Sequence, residues 1–207
     1  MQRYILTGAP GAGKTSILRI LAEHGYSVVA EAATDVISAE QARGVTEPWQ
    51  DPEFIDKIIE LQRSRQLDQS GDGQHRGGLR GSSPSGQHRA GLIEFYDRSP
   101  VCTLALARYA GYEPSTALSA ELDRIIEQGI YRRQVFFIRP IGFIEPTAAR
   151  RISYQDSLRF EQIHEAEYTR LGFELIDIGP GTPQARAALI GAEVWQVSSA
   201  EQSLGTE

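Results

Sequence analysis

The chain has 207 residues, 41% of them hydrophobic, and a formal net charge of -6 at pH 7. That length and composition suit one buried core, and the acidic balance argues against a general nucleic-acid binder, whose phosphate contacts need clustered lysine and arginine. The lone cysteine, Cys102, excludes an internal disulfide framework and a multi-cysteine metal site. No stretch reads as a signal-peptide core or a membrane span, which predicts a cytoplasmic protein.

In chain order, residues 3–7 form a short apolar run stopped by Gly8, and from Lys14 the apolar side chains Ile17, Leu18, Leu21 and Ala22 recur at helical spacing. Between strand and helix stands Gly8-Ala9-Pro10-Gly11-Ala12-Gly13-Lys14-Thr15, followed by Ser16. Glycines at the first and sixth places let backbone N–H groups turn inward around phosphate oxygens, and the helix that follows adds the positive end of its dipole. In this P-loop, Lys14 is the expected partner of the β and γ phosphates of ATP, and Thr15 of Mg²⁺. ATP is expected over GTP because no Asn-Lys-x-Asp guanine-reading motif is present.

Gly25 reads as the end of the helix, residues 26–30 as a second buried strand ending at Glu31, and residues 32–43 as a helix leaving that strand's carboxyl end. Asp51-Pro52-Glu53 is a helix start, with Asp51 as cap, and the stripe of Phe54, Ile55, Ile58, Ile59 and Leu61 carries the helix to about residue 68. Residues 70–91 are Gly, Ser, Gln, His and Arg with hardly an apolar anchor, and are expected to be a mobile insertion. Further strands are predicted at 92–97, 134–139 and 173–178, with helices at 101–110, 119–128, 153–171 and 183–196. Alternating strands and helices imply an α/β three-layer sandwich around a mainly parallel five-stranded sheet, with the ligand at the carboxyl ends of the strands. Residues 1–196 then form one P-loop domain, and 197–207 a polar tail.

Two carboxylates fall at such strand ends. Asp97 is placed for a magnesium shell, or alternatively for a structural ion pair with its neighbour Arg98. Side chains alternate along a strand, so Asp97 and Arg98 face one site only if the strand stops there and the chain turns, as Ser99-Pro100 suggests. Glu31 is a candidate proton acceptor for a substrate hydroxyl, although a helix dipole alone would favour a glutamate there. Arg150, Arg151 and Arg159 follow the fourth strand, where a closing lid would bring cations to a transferring phosphoryl group, or alternatively they face solvent from an exposed helix. His164 reads as a packed or surface histidine with no metal-spaced partner, and Cys102 as a small core residue.

On Gly8–Thr15, Glu31-Ala32-Ala33, Gln62 to Gln66, Asp97-Arg98-Ser99-Pro100 and the arginines at 150, 151 and 159, the chain resembles the AAA-type, kinase-like P-loop domains of bacterial nicotinamide riboside kinases and of single-domain ATPases. Asp97-Arg98-Ser99 also resembles the magnesium and phosphate motif of deoxynucleoside kinases. The resemblance implies a nucleoside- or nucleotide-kinase-like fold, with Asp97 serving magnesium, Arg98 the phosphates, Glu31 the acceptor, and Arg150 or Arg151 the lid. Two activities fit these residues: transfer of the ATP γ-phosphoryl group to a small-molecule acceptor, or a slow ATP-hydrolysing switch that engages a protein or an anionic lipid.

Overall fold

The computed structural model describes residues 1–71, 92–141 and 154–204. Five strands, β1 (Gln2–Thr7), β2 (Ser27–Val29), β3 (Ile93–Asp97), β4 (Gln134–Ile138) and β5 (Glu174–Ile178), form one sheet in the order β2-β3-β1-β4-β5. Every pairing is parallel. Parallel strands need crossover helices, and the chain supplies α1 (Lys14–Glu23), α2 (Ala32–Ala42), α3 (Glu53–Gly71), α4 (Pro100–Ala110), α5 (Thr116–Glu127), α6 (Tyr154–Arg170) and α7 (Pro183–Leu204), with a 3₁₀ turn at Pro48–Gln50.

The period of two along β1 sorts its side chains between two cores. Tyr4 and Leu6 join Phe95, Phe136 and Ile138 under Ile17 and Leu21 of α1 and Ile190 and Val194 of α7. Ile5 points the other way, with Tyr96 and Val135, toward Ile55 and Ile59 of α3, Leu104 of α4, Leu118 and Ile125 of α5, and Tyr168 of α6. A third, smaller cluster of Val36, Phe54 and Ile58 locks α2 to α3. The three-layer sandwich and the five-stranded sheet agree with the pattern of elements in the sequence.

Two boundaries differ from the expected ones for local reasons. The helix expected from residue 119 begins at Thr116, because the Ser115 hydroxyl accepts the Leu118 N–H at 3.1 Å and caps it. The last helix continues to Leu204 and takes up much of the expected polar tail, since residues 197–204 hold neither glycine nor proline to stop it. Most of the Gly/Ser/Arg-rich insertion, along with Arg150 and Arg151, lies outside the described residues.

Candidate nucleotide site

The site grows from the carboxyl ends of β1, β2 and β3, side by side in the sheet. Gly8 leaves β1 with φ 131°, and a Cβ on it would stand 2.3 Å from the carbonyl oxygen of Ile138 at the end of β4. Only glycine allows that approach. Gly11 and Gly13 also take positive φ, 84° and 90°, so the loop closes into a cradle over the start of α1. Lys14 opens α1, is 7% exposed, and donates from Nζ to the carbonyls of Gly8 and Ala9, 3.1 Å each. Burial, and then the nearby Arg98 charge, lower its pKa to about 8 against the pull of Asp97 and Glu31. Such a lysine is short of negative charge, and a phosphate in the cradle would supply it.

Arg98 follows β3 directly, and the strand does end at Asp97. Arg98 takes φ 74°, a conformation that side-chain-bearing residues rarely adopt, while its N–H bonds to the Leu6 carbonyl at 3.0 Å. That turn brings Asp97 and Arg98 onto the same cleft despite their adjacency. Arg98 forms an ion pair with Glu31. Burial opposes the Arg98 charge, but Glu31 above all outweighs it and raises its pKa. For Glu31, burial works against ionisation, and Arg98 with Lys14 overcomes it, so its pKa falls below the ordinary carboxylate value. Glu31 is the N-cap residue of α2, and the Thr34 hydroxyl donates to its Oε2 at 2.8 Å. Arg65 of α3 braces the same corner, donating to the Ala30 carbonyl at 2.8 Å and pairing with Asp35.

One member of this cluster was not expected as a site residue. His164 of α6 is fully buried, with Nδ1 2.8 Å from the Phe160 carbonyl and Nε2 3.3 Å from Arg98 Nη1. A carbonyl can only accept, so Nδ1 carries the proton and Nε2 accepts from Arg98. Burial and then Arg98 depress its pKa to about 3, which keeps it neutral at physiological pH. Only the fold reveals this role. The buried stripe of α6 includes Ser157, Glu161, His164 and Glu167, and a helix that turns polar groups inward is facing something charged.

The cleft, about 910 Å³ in volume, is lined by Lys14, Thr15 and Glu31 and also by Ile37, Trp49, Phe54, Tyr109 and Phe160. Gln62 lines it too, its Oε1 accepting from Thr103 Oγ1 at 3.0 Å. The structure therefore brings Gly11, Gly13, Lys14, Thr15, Ser16, Glu31, Asp97 and Arg98 to one cavity. Arg159 is exposed on α6 and does not line it.

A family model described as an AAA domain matches residues 3–79 and 80–186. The chain belongs to the AAA domain family. Among solved structures, this AAA domain is similar to a deoxyadenosine kinase from M. mycoides with its products dCMP and a flexible dCDP bound. The match has 13% identity and a TM-score of 0.55, and covers 95% of this chain and 100% of that one. No curated protein matches it. The AAA domain thus has a P-loop nucleotide-binding, kinase-like fold. No described helix is long and apolar enough to cross a membrane.

Proposed function

We propose that this AAA domain is an ATP-dependent phosphotransferase that moves the γ-phosphoryl group to a small-molecule acceptor. One observation carries the reading: the chamber lined by the phosphate loop and the Glu31–Arg98 pair is lined also by Trp49, Phe54, Tyr109 and Phe160, far more surface than a phosphate needs. Hydrolysis alone needs room for water, whereas a chamber of this kind suits the body of an organic acceptor.

In this reading the phosphate loop, Gly8–Ser16, holds the ATP phosphates with its uncommitted N–H groups, Gly13 among them, and with the Lys14 ammonium. Thr15 and Asp97 would hold Mg²⁺, which when bound draws charge from the phosphate oxygens. The fit rests on the cleft that Lys14, Thr15 and Asp97 line together, and on the desolvated Lys14 charge. Glu31 accepts the proton of the attacking hydroxyl. Its ion pair with Arg98 keeps it ionised before substrate arrives, and Arg98, held by His164, stays aimed at the oxygens that change hands. Arg150 and Arg151 are assigned to the lid on their place in the sequence.

The experiment is phosphorus NMR of ATP·Mg²⁺ incubated with a panel of small hydroxyl and phosphate acceptors, on the parent and on Glu31→Gln. General-base help is worth about 10²–10⁴-fold in rate. Glu31→Gln is therefore expected to slow transfer by that order while ATP affinity holds. If the panel yields only slow release of inorganic phosphate, and Glu31→Gln releases it as fast as the parent, the activity is that of a hydrolysing switch.

A further inference from the structure

Behind the glycine loop, away from the lining of the cleft, lies Arg186 in the first turn of α7. It is 3% exposed. Its Nη1 donates to the Ala12 carbonyl at 2.7 Å, and its Nη2 to the carbonyls of Arg139 at 2.7 Å and Ile178 at 3.2 Å. One guanidinium thus ties the phosphate loop to the carboxyl ends of β4 and β5. Among the described residues it has no carboxylate partner, and its Nε is buried without an acceptor. Burial lowers its pKa. A core arginine without a counter-ion costs stability, and three carbonyls could be satisfied by neutral donors, so packing alone does not account for its charge.

The position of the Ala12 bond supplies an account. The Ala12 N–H is already committed to the Ala9 carbonyl at 3.2 Å, and the Ala12 carbonyl is drawn backward onto Arg186. In a trans peptide the carbonyl and the following N–H point opposite ways. Drawing the Ala12 oxygen back therefore turns the Gly13 N–H forward, into the cradle. A Cβ built on Gly13 would lie 3.5 Å from Arg186 Nη1, so the positive charge sits directly against the loop.

We propose that Arg186 is a positioning residue for the nucleotide phosphates, aiming the Gly13 N–H and placing behind the loop a positive charge that bound phosphate neutralises. The proposal rests on nucleotide binding at the P-loop and holds whether the phosphoryl group passes to an acceptor or to water. Arginine and lysine separate its two parts, since lysine keeps the charge but not the planar fork that reaches three carbonyls at once.

The test compares the parent with Arg186→Lys and Arg186→Gln. ATP·Mg²⁺ affinity is measured by calorimetry, and the glycine amides of the nucleotide-free proteins are followed by ¹⁵N NMR. The expected result is an affinity loss of about tenfold in the lysine variant, on the scale of a charge-assisted hydrogen bond, and a larger one in the glutamine variant. The Gly13 resonance should move in both variants while Gly111 and Gly129 stay in place. An affinity within twofold of the parent in Arg186→Lys, or a Gly13 resonance that does not move, overturns the proposal. Should the glutamine variant not fold, the lysine variant decides alone.

Discussion

Lys14 holds its proton against burial, and that makes it the residue through which pH should reach the site. Its folded pKa, about 8, lies below the ordinary 10.5, so between those values the unfolded chain binds the proton more tightly. On this count the nucleotide-free protein gains stability as pH rises through that window. Nucleotide binding runs the other way. Phosphate favours the charged lysine, so ATP·Mg²⁺ affinity should be flat below about pH 8 and fall above it, by up to about tenfold per pH unit. Calorimetry in two buffers of different ionisation enthalpy should show little proton uptake on binding at pH 7 and nearly one proton at pH 9. A constant affinity from pH 8 to 9.5 would separate Lys14 from the phosphates. Lys14→Ala should abolish tight binding while leaving the fold, because the lysine lends charge rather than apolar packing.

At the scale of elements, the two serine caps make unequal demands. The Ser115 hydroxyl accepts the Leu118 N–H at the start of α5 and donates to Asp56 at 2.5 Å. The Ser99 hydroxyl accepts the Val101 N–H at 3.2 Å at the start of α4, and it is also 2.7 Å from the buried Tyr168 hydroxyl, which Cys102 Sγ approaches at 3.1 Å. Losing a cap costs about 0.5–2 kcal/mol, and stripping a buried hydroxyl of its partner adds about 1–3 kcal/mol. Urea unfolding should therefore show Ser99→Ala destabilised more than Ser115→Ala. Equal losses would mean that Tyr168 is satisfied by Cys102 and Thr7 without Ser99.

These elements also show where sequence reasoning reaches and where it stops. The strand, glycine loop and helix at Gly8–Ser16 could be read because each signal is local, and Glu31 and Asp97 because a strand end is visible in the pattern. The turn at Arg98 could be suspected from the Ser-Pro that follows. The places of His164 beside Arg98 and of Arg186 behind the loop could not be read. Their partners Arg98 and Ala12 lie 66 and 174 residues away, and only the order of strands in the sheet brings them together. The wall formed by Trp49, Phe54, Tyr109 and Phe160 escaped for a related reason: an aromatic on a helix reads as core until the neighbouring helices show the gap it lines.

In the whole molecule, the phosphate loop is rooted in the central strand. β1 lies between β3 and β4, Gly8 packs on β4, Arg98 bonds back to Leu6, and Arg186 joins the loop to α7, whose Ile190 and Val194 share a core with α1. A ligand on that loop should therefore stabilise the cooperative unit as a whole and not one lobe of it. Binding at a hundred times the dissociation constant adds about 2.7 kcal/mol to the folded state. For a chain of this size each kcal/mol moves the melting temperature by about 2–4 °C. Saturating ATP·Mg²⁺ should thus raise Tm by roughly 5–11 °C in a single calorimetric transition. Ser115→Ala should melt lower yet show the same rise, because its cap lies in α5, away from the phosphates. Lys14→Ala should show almost no rise. An undiminished shift in Lys14→Ala would place the nucleotide somewhere other than the glycine loop, and a transition that splits in two on adding ATP would mean that the loop and α7 do not belong to one cooperative unit.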